Sequence, residues 1–230
     1  MLKTNKQNFD KCAILFRGYH FLNDRHDCFC DGRIYFKSVA NKIIHPLKKK
    51  YKHIDIYLAT FPSPILGDVL DFYRPKKYYV DHKGILHNQR LTMLHGLNLF
   101  DQEYDRYFIF RFDLEYKKSI LEWNIWQNTG IYLPWREYRF LWNDHRRVAD
   151  TIHITDYLEK FRYAIKTDDG SSGGFHHIHK FIDKSLQRFM CNGFFDSNSS
   201  TQWAEGCNPL YYIKHRPYYF SDLVKPKILL

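Results

Sequence analysis

Apolar residues fall into short continuous runs separated by stretches of helical periodicity, and this alternation predicts the fold. Cys12-Ala-Ile-Leu-Phe16 is a run bounded by charge, the pattern of a strand covered on both faces, and it leads into Arg17-Gly18. Residues 23–33, with Asn23, Asp24, Arg25, Asp31 and Gly32, carry turn formers and read as a loop. Val39, Ile43, Ile44 and Leu47 recur at helical spacing between Tyr35 and Tyr51, with Pro46 expected to kink or end that helix. A second strand, Ile54 to Thr60, is followed by the Phe61-Pro-Ser-Pro64 loop, a short helix from Ile65 to Tyr73 and a third strand from Lys77 to Asp81. Leu86, Leu91, Leu94 and Leu97 place a helix within Ile85 to Phe100. A fourth strand, the most apolar, runs through Tyr107 to Phe112.

The second half is less regular. Gly130 to Trp135 and Asp150 to Ile154 read as strands, Trp142 to Arg147 as a charged loop, and Thr155 as the cap of a helix reaching about Ala164. Thr167 to Gly174 is rich in Gly, Ser and Asp and reads as a connector or a lid. A helix is expected from Phe175 to about Met190, carrying His176, His177 and His179. Strands alternating with helices predict an α/β fold with a mixed, mainly parallel sheet flanked by helices. Neither an internal repeat nor a linker interrupts the 230 residues, so one domain is expected.

Composition adds a preference for anionic partners. Lys and Arg number 35 against 25 Asp and Glu, a net charge of +10, which favours nucleotides, nucleic acid or a membrane surface. The basic residues are scattered in pairs and triplets such as Lys48-Lys49-Lys50, so no specific nucleic-acid stripe is expected. Cys12, Cys28, Cys30, Cys191 and Cys207 make an odd set without C-x-x-C spacing, which points to free thiols in a reducing compartment. No apolar stretch reaches the roughly 18 residues of a membrane span, and the polar start resembles no signal peptide, so a cytoplasmic location is expected. Asn198-Ser199-Ser200 fits a glycosylation sequon that would carry nothing there.

The candidate chemistry sits at strand ends. Arg111, Asp113 and Glu115 alternate after the fourth strand and, in an extended chain, would project together. In open α/β sheets ligands bind at the carboxyl ends of the strands, and a divalent cation with a diphosphate seeks one or two carboxylates there. The competing bland reading is a turn former with Arg111 paired to Asp113. Arg17 offers a planar fork for phosphate and Gly18 a sharp turn or close approach. The chain contains neither G-x-G-x-x-G after its first strand nor G-x-x-x-x-G-K-[ST], so phosphates would need a metal and basic side chains. His26, Cys28 and Cys30 match no zinc spacing, and a zinc site of His176, His179 and His215 would lack the usual Cys or Glu partner. Trp123, Trp126, Trp135, Trp142 and Trp203 are core candidates, with one or two available to stack on a sugar or base.

Five segments together resemble small GT-A-type glycosyltransferases of bacteria and large DNA viruses, the chlorovirus-like group especially. They are Cys-Ala-Ile-Leu-Phe-Arg-Gly at 12–18, Ile-Asp-Ile-Tyr-Leu-Ala-Thr at 54–60, Tyr-Arg-Pro-Lys-Lys at 73–77, Tyr-Asp-Arg-Tyr-Phe-Ile-Phe-Arg-Phe-Asp-Leu at 104–114 and Asn-Pro-Leu-Tyr-Tyr-Ile-Lys-His-Arg at 208–216. The resemblance implies a GT-A-like, Rossmann-like domain that transfers a sugar from a nucleotide-sugar donor, a UDP-sugar by default, to a glycan acceptor. It implies a nucleotide-sugar-binding half at 1–116 and an acceptor-side half at 117–230. The family's Asp-x-Asp element, which holds Mn2+ or Mg2+ against the donor diphosphate, reads here Arg111-Phe112-Asp113 with Glu115 beyond. The first acid is thus an arginine: Asp113 and Glu115 are the implied metal ligands, and Arg111 replaces part of the metal's charge in the alternative. Arg17, Gly18, Thr60, Arg111 and Arg216 are the implied donor-binding residues. For an inverting reaction Asp150 is the first candidate base, ahead of Asp144 and Asp196.

Two other function classes fit parts of the pattern. Asp113-Leu-Glu115-Tyr-Lys117, with Asp101 upstream, contains the E-x-K of a magnesium-dependent nuclease, although such sites sit on hairpins. The basic, aromatic-rich chain also fits a non-catalytic protein that binds anionic glycan or nucleic acid.

Overall fold

The computed structural model describes residues 10–25, 28–82, 89–134, 136–139, 144–148, 151–168, 176–191, 194–196 and 210–213. The strands in chain order are β1 Lys11–Arg17, β2 Phe21–Arg25, β3 Cys28–Asp31, β4 His53–Thr60, β5 Lys77–Val80, β6 Arg106–Arg111 and β7 Leu114–Tyr116, then β8 Ile131–Leu133, β9 Arg136–Arg139, β10 Asp144–Val148, β11 Ile152–Thr155, β12 Gln187–Phe189, β13 Phe194–Asp196 and β14 Tyr211–Ile213. Seven of them form one sheet in the order β12-β8-β11-β6-β1-β4-β5. Neighbours pair in parallel except β11, which runs against both β6 and β8. The domain is therefore α/β with a mixed, mainly parallel sheet flanked by helices, as the alternation of runs predicts.

Period-two alternation within the central strands builds two cores. Cys12, Ile14 and Phe16 of β1 join Leu58, Phe108 and Phe110 beneath Val39, Ile43, Leu47, Val69 and Tyr73. Ala13 and Leu15 join Tyr57, Ala59, Tyr107 and Ile109 on the other face, beneath Met93, Leu97, Phe161 and Ile165. The first face is covered by α1 Phe36–Val39, α2 His45–Lys50 and α3 Leu66–Tyr73, the second by α4 Gln89–Leu97 and α5 Leu158–Thr167. Gly96 brings α4 onto the sheet: a Cβ there would lie 2.7 Å from a methyl of Leu15.

Several expectations need correction. Pro46 neither ends nor breaks its helix; a π-helical turn, Ala40–Ile44, precedes it and absorbs the hydrogen bond that proline cannot donate. The loop expected over 23–33 is largely the antiparallel pair β2–β3, and the loop expected over 142–147 includes β10, paired to β9. These pairings are made by backbone groups, so their polar sequences gave no alternating signal. The helix expected from Phe175 to Met190 is a 3-10 turn at Ile178–Lys180 followed by β12. Asp183 breaks it: its carboxylate accepts the Ser185 N–H at 2.8 Å and its carbonyl accepts those of Leu186 and Gln187. Thr155 ends β11 rather than capping α5 directly, its hydroxyl accepting the N–H of Tyr157 at 2.9 Å. Among the described residues no helix is long and apolar enough to cross a membrane.

Candidate functional site

The carboxyl ends of β4, β1 and β6 lie side by side where the strand order reverses, the place at which an α/β sheet opens a crevice. Arg17 at the end of β1 is in register with Ala59 of β4 and Arg111 of β6. Residues in register on parallel strands project to one face, so the two arginines share the face of Leu15 and Ile109. Arg17 is buried beneath the edge and Arg111 is half-buried above it.

The extended run expected through Glu115 does not form. A turn at Phe112-Asp113 separates β6 from β7, so the simple alternation of Arg111, Asp113 and Glu115 is broken. The turn folds Asp113 back onto Arg111: Nε donates to Oδ1 at 2.8 Å and Nη2 to Oδ2. Phe112 anchors the turn against Phe16, Tyr73 and His20. Glu115 lies on β7 opposite Tyr212 of β14, whose register runs from Tyr116 towards Leu114, so β14 ends on the Asp113 side.

Gly18 has φ +95°, where a side chain would be strained, and nothing lies within 4 Å of the position a Cβ would take. Its N–H donates to the Ala59 carbonyl at 2.9 Å, and its own carbonyl accepts the Thr60 hydroxyl at 2.8 Å. Thr60 also meets His20, a residue the sequence did not single out, whose other ring nitrogen meets Ser63. Burial pushes the His20 pKa down to about 4, against a small opposing pull from Asp31, so the ring is neutral near pH 7. Tyr19 stacks on Phe61 with centroids 4.3 Å apart, an aromatic pair in the two loops beside the crevice. No spacing rule pairs these residues, because their proximity comes from the parallel register of β1 and β4.

Asp150 and Arg216 lie outside the described residues, as do His26, His215, Trp135, Trp142, Trp203 and most of the segment from Thr167 to Gly174. The residue after Asp150 is described: the Thr151 carbonyl accepts the Arg111 N–H at 3.2 Å. Asp144 and Asp196 fall on β10 and β13, outside the main sheet. His176 and His179 do not share a helix face, since that helix is absent, and His176 Nδ1 donates to the Val148 carbonyl at 3.0 Å. Trp123 is buried in the core, and Trp126 donates to the Ile120 carbonyl at 3.0 Å.

Among the described residues no group of three or more His, Cys, Asp and Glu is placed to hold a metal ion. Among the described residues the carboxylates at this edge include Asp113, buried and paired with Arg111, and Asp81, just after β5, while Glu115 lies on β7 of a separate two-stranded sheet; one or two carboxylates are what Mg2+ or Mn2+ takes when phosphate oxygens and water complete the shell. A cation here would draw on Asp113, now held by Arg111, and would complete its shell with diphosphate oxygens and water. A cleft of about 620 Å³ opens at the opposite end of β6, lined by Tyr104, Tyr107 and Tyr157 among others. Of its four acids, Asp156 pairs with Arg106, Glu159 with Arg162 and Asp101 with Lys76 and Lys77, while Glu103 is exposed.

No family model and no curated protein matches the chain. Solved structures are similar in fold. A Drosophila β1,4-galactosyltransferase 7 mutant, in complex with manganese, UDP-Gal and xylobiose, is 12% identical with a TM-score of 0.47, over 91% of this chain and 73% of that one. The inositol-1-phosphate CTP transferase of T. maritima is 11% identical with a TM-score of 0.48, over 94% of each chain. The 4-diphosphocytidyl-2C-methyl-D-erythritol synthase of Anaerococcus prevotii is 11% identical with a TM-score of 0.49, over 80% of this chain and 87% of that one. These neighbours are transferases of sugars and of nucleotides, and at such identities the likeness is one of fold alone.

Proposed function

We propose that the chain is a nucleotide-sugar-dependent glycosyltransferase whose donor diphosphate lies across the carboxyl ends of β1, β4 and β6. The observation that carries this reading is the convergence there of two guanidinium groups in register, Arg17 and Arg111, beside a glycine open to close approach. Arg111, paired with Asp113, brings a guanidinium to the end of β6, and Arg17, being buried, contributes its charge without contact with the diphosphate. Thr60 fixes the Gly18 carbonyl, which keeps the turn in the shape that a phosphate can approach. Asp113, with Glu115, would hold Mn2+ or Mg2+, which supplies charge neutralisation to the departing diphosphate. Arg216, three residues beyond the end of β14 at Ile213, keeps the donor-binding role that the resemblance implies.

As the bond from the sugar anomeric carbon to the diphosphate oxygen breaks, the electron pair goes to that oxygen, and Arg17 and Arg111 stabilise the developing charge. The acceptor hydroxyl forms the new bond and gives its proton to a carboxylate, the role assigned to Asp150, whose neighbour Thr151 accepts the Arg111 N–H through its carbonyl. The 1–116 half thus serves the donor, a UDP-sugar by preference, and the 117–230 half the glycan acceptor, with inversion. The nuclease reading loses support, since its hairpin of carboxylates is replaced by a turn in which Asp113 pairs with Arg111.

The test is donor turnover. Purified protein with manganese is offered UDP-sugars and GDP-sugars and nucleoside diphosphate release is followed, with and without short glycans. Release from one donor, quickened by an acceptor and stopped by a chelator, is expected. A folded protein that releases nothing from any donor contradicts the proposal.

A further inference from the structure

A largely enclosed hydrogen-bond chain links the turn after β1 to the end of β4, and its direction follows from proton counting. Thr60 Oγ1 donates its one proton to the Gly18 carbonyl at 2.8 Å, so towards His20 it acts only as acceptor. His20 Nδ1, 2.5 Å from that oxygen, therefore carries the ring proton. Nε2 of the neutral ring is then an acceptor and takes the hydroxyl proton of Ser63, also at 2.5 Å. Ser63 Oγ in turn accepts the N–H of Ile65 at 3.3 Å, at the entry to α3.

Three segments are joined in this way: the turn after β1, the last residue of β4 and the approach to α3. A fourth closes on the same histidine, because the Gly32 N–H donates to the His20 carbonyl at 2.7 Å, and a Cβ at Gly32 would come within 2.8 Å of that oxygen. The ring edge of His20 lies against Phe112, 5.6 Å between centroids, and Phe112 is the first residue of the turn that presents Asp113. His20 is only 1% exposed, too enclosed to meet a substrate, yet from three residues beyond the end of β1 its ring touches the last residue of β4 and the turn after β6.

We propose that His20 is a positioning residue of the donor site: through Thr60 its Nδ1–H imidazole fixes the Gly18 carbonyl, and with it the Arg17-Gly18 backbone on which the diphosphate lies. This rests on the glycosyltransferase reading. It commits the ring to one tautomer and assigns the Thr60 hydroxyl to organising the turn, whereas a plain packing role would need only the volumes of the two side chains.

The experiment joins two readouts. Nitrogen-15 spectra of histidine-labelled protein report the tautomer, and calorimetry with UDP and GDP, with manganese, compares His20→Asn, His20→Gln, Thr60→Ser and Thr60→Val, each checked for folding by thermal melting. The Nδ1-protonated tautomer is expected at neutral pH. Thr60→Val and His20→Gln should weaken nucleotide binding about tenfold, the scale of one buried hydrogen bond. His20→Asn and Thr60→Ser, which keep a donor or hydroxyl where the chain needs one, should lose less, and Thr60→Val with His20→Gln together should lose no more than either alone. An Nε2-protonated ring, or a folded Thr60→Val variant that binds like the wild type, overturns the positioning role alone. A folded wild type that binds neither nucleotide overturns the donor reading and the positioning role with it.

Discussion

β6 begins and ends in an arginine, and each arginine grips an aspartate through two nitrogens, yet the two pairs are built for different ends. At the start, Arg106 donates to Asp156 at 2.6 and 2.9 Å, to the Ile125 carbonyl at 2.7 Å and to the Asn128 carbonyl at 3.1 Å, with the Trp126 and Tyr132 rings beside it. Asp156 also accepts the Gly130 N–H at 2.9 Å, so the pair ties the stretch before β8 and the turn after β11 to the start of β6. At the other end Arg111 pairs with Asp113, two residues along the chain. The Arg106 side chain is 0% exposed and the Arg111 side chain 12%. A surface version completes the series: Arg33 forks onto Asp31, again two residues away, with 47% of its side chain exposed. The same chemical pair is thus a staple when every donor is engaged by distant segments, and a candidate site when it is local, half-buried and set at the mouth of a crevice.

The contrast breaks most readily at Arg106. Asp156→Ala leaves a guanidinium buried without its countercharge, and urea unfolding should show a loss of about 3–5 kcal/mol. A loss below about 1 kcal/mol would erase the distinction between staple and site. Next comes the stability contributed by His20. Its folded pKa of about 4 lies below the ordinary 6.5, so the unfolded chain binds the proton more readily between those values. The contribution is complete above about pH 6.5 and is lost as pH falls towards 4, a difference of roughly 3 kcal/mol at about 1.36 kcal/mol per pKa unit. Unfolding measured at pH 7 and pH 4 should show wild type losing that much more than His20→Gln; parallel pH profiles would contradict it.

Arg111→Lys keeps a charge and removes the fork. It should weaken nucleotide binding about tenfold in calorimetry with little change in stability, the reverse of the Asp156 result. Unchanged affinity would place the diphosphate elsewhere. The smallest effect belongs to Arg33→Ala, where solvent screens the pair and the urea midpoint should not move measurably.

The parallel core was legible because β1, β4 and β6 are buried on both faces and therefore read as continuous apolar runs. Peripheral strands were not: β9 and β10 are built from residues such as Arg136, Arg139, Arg146 and Arg147, and their antiparallel backbone pairing has no alternating apolar pattern in the sequence to announce it. The stretch from Ile178 to Leu186 imitates a helix, since Ile178, Ile182 and Leu186 fall four apart, while the turn at Asp183 decides otherwise. At the candidate site, the individual strand ends were readable, Arg17-Gly18, Thr60 and Arg111 with Asp113. Their register was not, because it depends on which strands pair. The turn at Phe112 and the packing of His20 onto it are tertiary facts that no local pattern carries.

Calorimetry of wild type and Asp113→Asn with UDP and GDP, each with and without manganese, tests the central claim most directly. The claim predicts that one nucleotide binds wild type more tightly when the cation is present, and that the folded variant loses this binding. A folded wild type that binds neither nucleotide, or a variant that keeps full cation-dependent affinity, would contradict it.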